Sequence, residues 1–247
     1  MATVMVITAV ITMPTATPLT NKTKPDGFVF PRLILWLALV PAFVCLYIAL
    51  TYAMMRIGQT QSVEERDNPL LEAAAKMAPF SPHIQASMAR FEREWALQTS
   101  GEQSQLYWQR SMASWQRAMN ARPDWPFYEL GMLDAEILSG QDAEVVSARF
   151  QRLITLAPNE RAKDERLLSL AFSGWHLLTE EQHKWVWMRL RDTPGQAFYA
   201  VGKVADEAGL KSLFCAKTPW VRAKSVCIEG KRRPASAKTI PLSDLKF

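Results

Sequence analysis

Histidine and cysteine are scarce in this 247-residue chain, with three of each. No CxxC pair and no Cys/His cluster occurs, which excludes the common zinc spacings. HExxH is absent, and His176 and His183, seven apart beside Glu180 and Glu181, read as surface or packing residues rather than metal ligands. The ten glycines form neither GxGxxG nor GxxxxGK(S/T), so no phosphate-cradling loop is present. GxSxG is missing too, and Ser173-Gly174 stands alone. Acid pairs such as Glu64-Glu65 and Asp206-Glu207 read as solvated charge on helical faces. Nothing brings together a nucleophile, a base and an orienting group. The expectation is a non-enzyme with no catalytic residue, no cofactor and no metal.

Net positive charge is missing from the middle of the chain. The net charge is +5, with +2 on residues 1–32 and +4 on residues 230–247, which leaves −1 for residues 33–229. A nucleic-acid-binding domain concentrates its basic charge on the fold, so no nucleic-acid partner is expected.

What the chain does have is a long apolar run. From Leu33 to Met55 it reads LILWLALVPAFVCLYIALTYAMM, 23 residues without a charge, fenced by Arg32 and Arg56. A helix of this length reaches about 34 Å at about 1.5 Å per residue, enough to cross a hydrocarbon core of about 30 Å with some tilt. Trp36 lies near one end, and Tyr47 and Tyr52 lie toward the other, as interfacial aromatics do. Pro41 is tolerable in a membrane helix. The alternative, a buried core helix, fits poorly because such helices rarely run beyond about 18 residues without a charge.

Lys22, Lys24 and Arg32 precede the run, and Arg56 and Arg66 follow it. Three basic residues against two place the head in the cytoplasm and the body outside. The first 13 residues, MATVMVITAVITM, lack the basic region of a signal peptide, and translation from Met5 or Met13 is an alternative to Met1. SVEERDNP after the run offers no small-residue cleavage site, so the anchor reads as uncleaved. Cys45 lies in the run, while Cys215 and Cys227 lie twelve apart in the body. An oxidising compartment lets the latter two pair, which contributes on the order of 3 kcal/mol in the chain-entropy model. The alternative is two unrelated buried thiols.

Helical periodicity dominates the body. Ile84, Met88, Phe91 and Trp95 form one stripe, and Trp108, Met112, Trp115 and Met119 a second. Val146, Phe150, Leu153 and Ala157 form a third, and Leu168, Ala171, Trp175 and Leu178 a fourth. Ser81-Pro82 marks a helix start, and Ser100/Gln103, Thr179/Gln182 and Thr193/Gln196 fit capping boxes. The spacing predicts helices near 69–78, 82–98, 102–121, 126–139, 142–157, 163–177, 180–192, 195–208 and 210–217. Short connections make neighbours antiparallel hairpins. Trp220 to Ile228 is the best candidate for an extended piece. Trp185 and Trp187 are two apart and face different sides of a helix, so one of them is a candidate exposed aromatic.

A repeat underlies these stripes. Trp115-Gln116-Arg117 leads to Pro123, and Phe150-Gln151-Arg152 leads to Pro158, each aromatic eight residues before its proline. The prolines are 35 apart, and Leu130-Gly131 falls in the helix between. The pattern resembles the tetratricopeptide repeat, with a period of about 34 residues. In such repeats the small residue lets the two helices of one pair approach closely, which is the role expected of Gly131. Asp134 departs from the pattern, because that position is usually aromatic.

The expected fold is all-α: a transmembrane helix, then an antiparallel helical-hairpin domain similar to tetratricopeptide repeats. Its divisions are a disordered cytoplasmic head 1–32, a span 33–55, a linker 56–68, the helical domain 69–229 and a basic disordered tail 230–247. The layout from the anchor to Cys227 resembles VpsP-type polysaccharide biosynthesis proteins of the bacterial envelope. That resemblance implies a periplasmic scaffold on the inner membrane, with protein partners in an exopolysaccharide assembly or export complex. It carries over no catalytic residue and identifies no small-molecule substrate. Two alternatives stand beside it: an ancillary chaperone of the translocon or of cytochrome assembly, and an enzyme acting on envelope glycans. The enzyme reading needs two carboxylates facing each other across a cleft, about 5–10 Å apart.

Overall fold

The computed structural model describes residues 30–60, 68–156, 158 and 160–228, with side chains from Trp36 onward. The head up to residue 29 with its starts Met1, Met5 and Met13, the segment 61–67 and the tail 230–247 lie outside the described residues. Among the described residues every regular element is helical. The α-helices are α1 (Phe30–Thr60), α2 (Pro69–Met77), α3 (Pro82–Gln98), α4 (Gly101–Ala121), α5 (Pro126–Leu138) and α6 (Ala143–Leu156). They continue as α7 (Asp164–Ser173), α8 (Glu180–Asp192), α9 (Gly195–Glu207), α10 (Lys211–Lys217) and α11 (Trp220–Cys227).

The chain divides into two units, Met1–Tyr47 and Ile48–Phe247. In the first, α1 continues through Pro41 and exposes Trp36, Leu37, Val40, Phe43, Val44, Leu46 and Tyr47. α1 is long and apolar enough to cross a membrane over Trp36–Thr60, with a mean hydropathy of 2.1. The helix does not end at Met55, where the sequence places the end of the span. It continues to Thr60, through part of the expected linker 56–68. Met55 is only 5 % exposed because it packs with Leu71, Ala74 and Ile84 inside the second unit. Thr51, Met55 and Gly58 share one face of α1 at steps of four and three, and that face is buried.

The second unit buries three apolar clusters. The first joins the end of α1 to α2 and α3. The second holds Trp108, Trp115, Met119, Tyr128 and Met132 between α3, α4 and α5. The third, around Leu133, Phe150, Leu168, Phe172, Val186, Val201 and Phe214, runs from α5 to α11. Trp108, Trp115, Met119, Phe150 and Leu168 come from the sequence stripes, where spacing of three and four puts each set on one helical face; Tyr128, Met132, Leu133, Phe172, Val186, Val201 and Phe214 lie outside those stripes.

Eight of the nine predicted helices appear within a residue of the expected ends. The ninth, 163–177, stops at Ser173, and Trp175–Leu177 forms a 3-10 turn. Gly174 at this break lies against α5, where a Cβ would come within 3.1 Å of Ile137. Trp220 to Ile228 is not extended: α11 occupies it, held by Arg222, which donates to the carbonyls of Arg191 and Thr193 and lies over the Phe198 ring. The capping box forms at Thr179 and Gln182. The hydroxyls of Ser81 and Ser100 cap nothing. Thr193 turns back to donate to Arg189 O, and Pro194 opens α9 instead.

Candidate functional site

The repeat residues assemble around α5. Antiparallel packing of α3 on α4 follows from a ladder of side-chain hydrogen bonds. Ser104 donates to Ala96 O, Ser111 to Ala89 O, Ser114 to Glu92 and Arg117 Nε to Gln85. α5 lies across this hairpin, and α6 returns antiparallel to α5. Trp115, Leu130, Gly131 and Phe150 are all buried, whereas Pro123 and Pro158 are exposed at the turns. Gly131 does permit a close approach, but not between α5 and α6. A Cβ there would lie 2.4 Å from the Trp115 ring, so the contact joins α5 to α4, the last helix of the preceding hairpin. The same 35-residue step from Gly131 lands on Arg166, which reaches back to Asp134 at 3.2 Å, so the next junction is ionic rather than close-packed.

α5 carries three buried acids, and each is matched by arginine from another helix. Asp134 lies 2.6 Å from Arg93 of α3 as well as near Arg166 of α7. Arg149 of α6 donates to Glu136 at 2.7 Å and to Glu129 at 2.6 Å. Arg152 adds a contact to Glu129 at 2.7 Å. A buried carboxylate left alone would cost several kcal/mol, so these pairs fix how α5 is turned against its neighbours. Burial opposes the charge on Arg149, but Glu136 and Glu129 outweigh it and push its pKa up. At position 134, where the resembled repeat carries an aromatic, the acid meets two arginines. The sequence signal was visible, since Glu129, Asp134 and Glu136 interrupt an otherwise apolar helix.

Between α4 and α6, with α5 as its floor, opens a cleft of about 690 Å³. Its walls include Gln116, Met119 and Asn120 on one side and Val145, Ala148 and Arg152 on the other, with Glu129 and Arg149 below. Repeat residue Pro123 sits at its edge. The surface mixes amide, guanidinium and small apolar groups, which suits hydrogen bonding to an extended polar chain. The acid that lines it, Glu129, is held by Arg149, which also binds Glu136 of the same helix.

The remaining sequence candidates fall elsewhere. Cys215 and Cys227 are joined as a disulfide with their Cα atoms 5.9 Å apart, tying α10 to α11. Cys45 is free and exposed on α1. Leu33 lies in α1. Trp185 and Trp187 both pack: Trp185 sits edge-on to Phe150, and Trp187 meets Phe172 and Trp175. Neither is the exposed aromatic expected, because the core wraps two sides of α8. His183 stacks on Trp175 at 3.8 Å, and no cluster of metal-binding side chains occurs among the described residues.

Glu92 could not be singled out from the sequence. It lies buried between α3 and α4, and burial raises its pKa to about 7 despite the Ser114 hydrogen bond and nearby Arg117. No family model, no curated protein and no solved structure matches the chain.

Proposed function

We propose that this protein is a single-pass scaffold of the bacterial inner membrane, its helical body in the periplasm, where it docks partner proteins of an envelope polysaccharide complex. The observation that carries the reading is the pairing of a membrane-length apolar helix with a helical-hairpin body that opens a polar cleft between α4 and α6. Arrays of helical hairpins are built to present extended binding surfaces. The Cys215–Cys227 disulfide supports an exported body, because such bonds persist in oxidising compartments. The tie to polysaccharide assembly rests on the resemblance in layout alone.

Photo-crosslinking in intact membranes tests the docking role. Crosslinkers at Val145 and Ala148 are expected to capture a component of the polysaccharide machinery, and a crosslinker at Tyr199 on α9 is not. Absence of any adduct from the two cleft positions, or equal capture from Tyr199, contradicts the proposal.

A further inference from the structure

Phe80, in the turn between α2 and α3, is the most exposed large apolar side chain among the described residues, at 87 %. Its position along α1 follows from two independent registers within the second unit. Asn68 Nδ2 donates to Gly58 O at 2.7 Å, and a Cβ on Gly58 would lie 3.1 Å from Leu71 Cβ, so Leu71 is level with Gly58. Met55, three residues before Gly58 on α1, shares a cluster with Leu71, Ala74 and Ala78, so α2 leads from Gly58 back toward the earlier part of α1. Seven residues of helix, about 10 Å, bring Ala78 level with Thr51. On α3, Ser87 accepts a hydrogen bond from Gln59 at 2.7 Å. Phe80 is seven residues before Ser87, which places it level with Tyr52. Both registers put the turn at the level of Thr51 and Tyr52 along α1. Thr51 is 2 % exposed although it sits in the apolar run, as expected of a residue covered by protein.

The connection between α4 and α5 reaches the same level. Arg117 meets Gln85, so the antiparallel α4 brings Arg122 beside the α2–α3 turn, and Tyr128 at the start of α5 lies 3.3 Å from His83 at the start of α3. This end of the second unit therefore carries Phe80, Trp125 and Arg122, whose guanidinium lies 4.1 Å over the Trp125 ring, together with the acid Asp124. Beside it, α1 leaves Ile48, Leu50 and Tyr52 exposed. Aromatic rings and arginines on apolar stems favour the boundary between headgroups and acyl chains.

We propose that this end of the helical domain sits in the interfacial layer of the bilayer that α1 crosses. Phe80 enters the acyl-chain boundary, Arg122 and Trp125 lie at the headgroups, and the lipid-embedded part of α1 ends near Thr51. The inference rests on the membrane-anchor reading above and names the lipid surface as a second contact of the domain.

Nitroxide labels in the full chain test it, in vesicles of phosphatidylethanolamine and phosphatidylglycerol. One protein is labelled at native Cys45. Two others carry Cys45→Ser with Phe80→Cys or Leu97→Cys, the latter exposed at the far end of α3. Labels at Cys45 and Phe80→Cys are expected to relax several-fold more with oxygen than with a water-soluble nickel complex, and the label at Leu97→Cys the reverse. A Phe80→Cys label as nickel-accessible as that at Leu97→Cys, with Cys45 in lipid, overturns the inference and leaves the anchor standing. A Phe80→Cys label shielded from both reagents points to a protein contact and also overturns it. A Cys45 label exposed to nickel overturns the anchor reading itself, and this inference with it.

Discussion

Gly131 and Glu92 show how much a single position decides. The hydrogen of Gly131 faces the Trp115 indole, and a methyl group there would come within 2.4 Å of ring atoms buried in the core. Gly131→Ala is expected to cost about 1–3 kcal/mol, as overpacking does. The double variant Gly131→Ala/Trp115→Leu is expected to lose less than the two single changes together, measured by urea unfolding in detergent. Simple additivity would show that the indole does not set the constraint. Glu92 titrates near neutrality because burial disfavours its charge. A carboxyl whose pKa is higher folded than unfolded contributes stability that is present at low pH and lost as pH rises. The window runs from about 4.5, the unperturbed value, to about 7. Above it, Glu92→Gln is expected to be the more stable protein by on the order of 3 kcal/mol, and below it the difference fades. A pH series that is parallel for the two proteins would refute the buried-carboxyl account.

At the scale of elements, helices were legible and their partners were not. The stripes Ile84–Trp95 and Trp108–Met119 repeat every three or four residues, and local spacing of that kind fixes a helix whatever it packs against. The same spacing is silent about partners. The resemblance to a repeat put Gly131 between α5 and α6, whereas the contact is to α4, and the partners of Asp134, Arg93 and Arg166, lie 41 and 32 residues away. α11 was misread because Trp, Val and Ile favour strands locally, while the disulfide and Arg222 hold that segment as a helix against α9. α10 and α11 are short, and Cys215–Cys227 closes the loop between them. Cys227→Ser is expected to lower stability by about 3 kcal/mol. Hydrogen exchange should rise first in α10 and α11 while α3 to α6 keep their protection; uniform loss of protection would mean that the bridge supports the whole unit.

On the scale of the whole molecule, an apolar helix of membrane length leads a helical body, and the proposed export of that body rests on charge and redox chemistry. Three basic residues before the run against two after it favour an exported body, as does the disulfide. A reporter fused after Phe247 is expected to be active only outside the cytoplasm, and activity only inside would reverse the topology. The sequence by itself determined the all-helical class, the apolar helix and nearly every helix end, because those depend on runs and periods within some twenty neighbouring residues. Tertiary structure alone decided that α1 continues to Thr60 and buries Met55, that α5 lies at the centre with its acids matched, and that a cleft opens between α4 and α6. Each of these depends on the burial of one helix face against a particular other, and no local pattern names that partner.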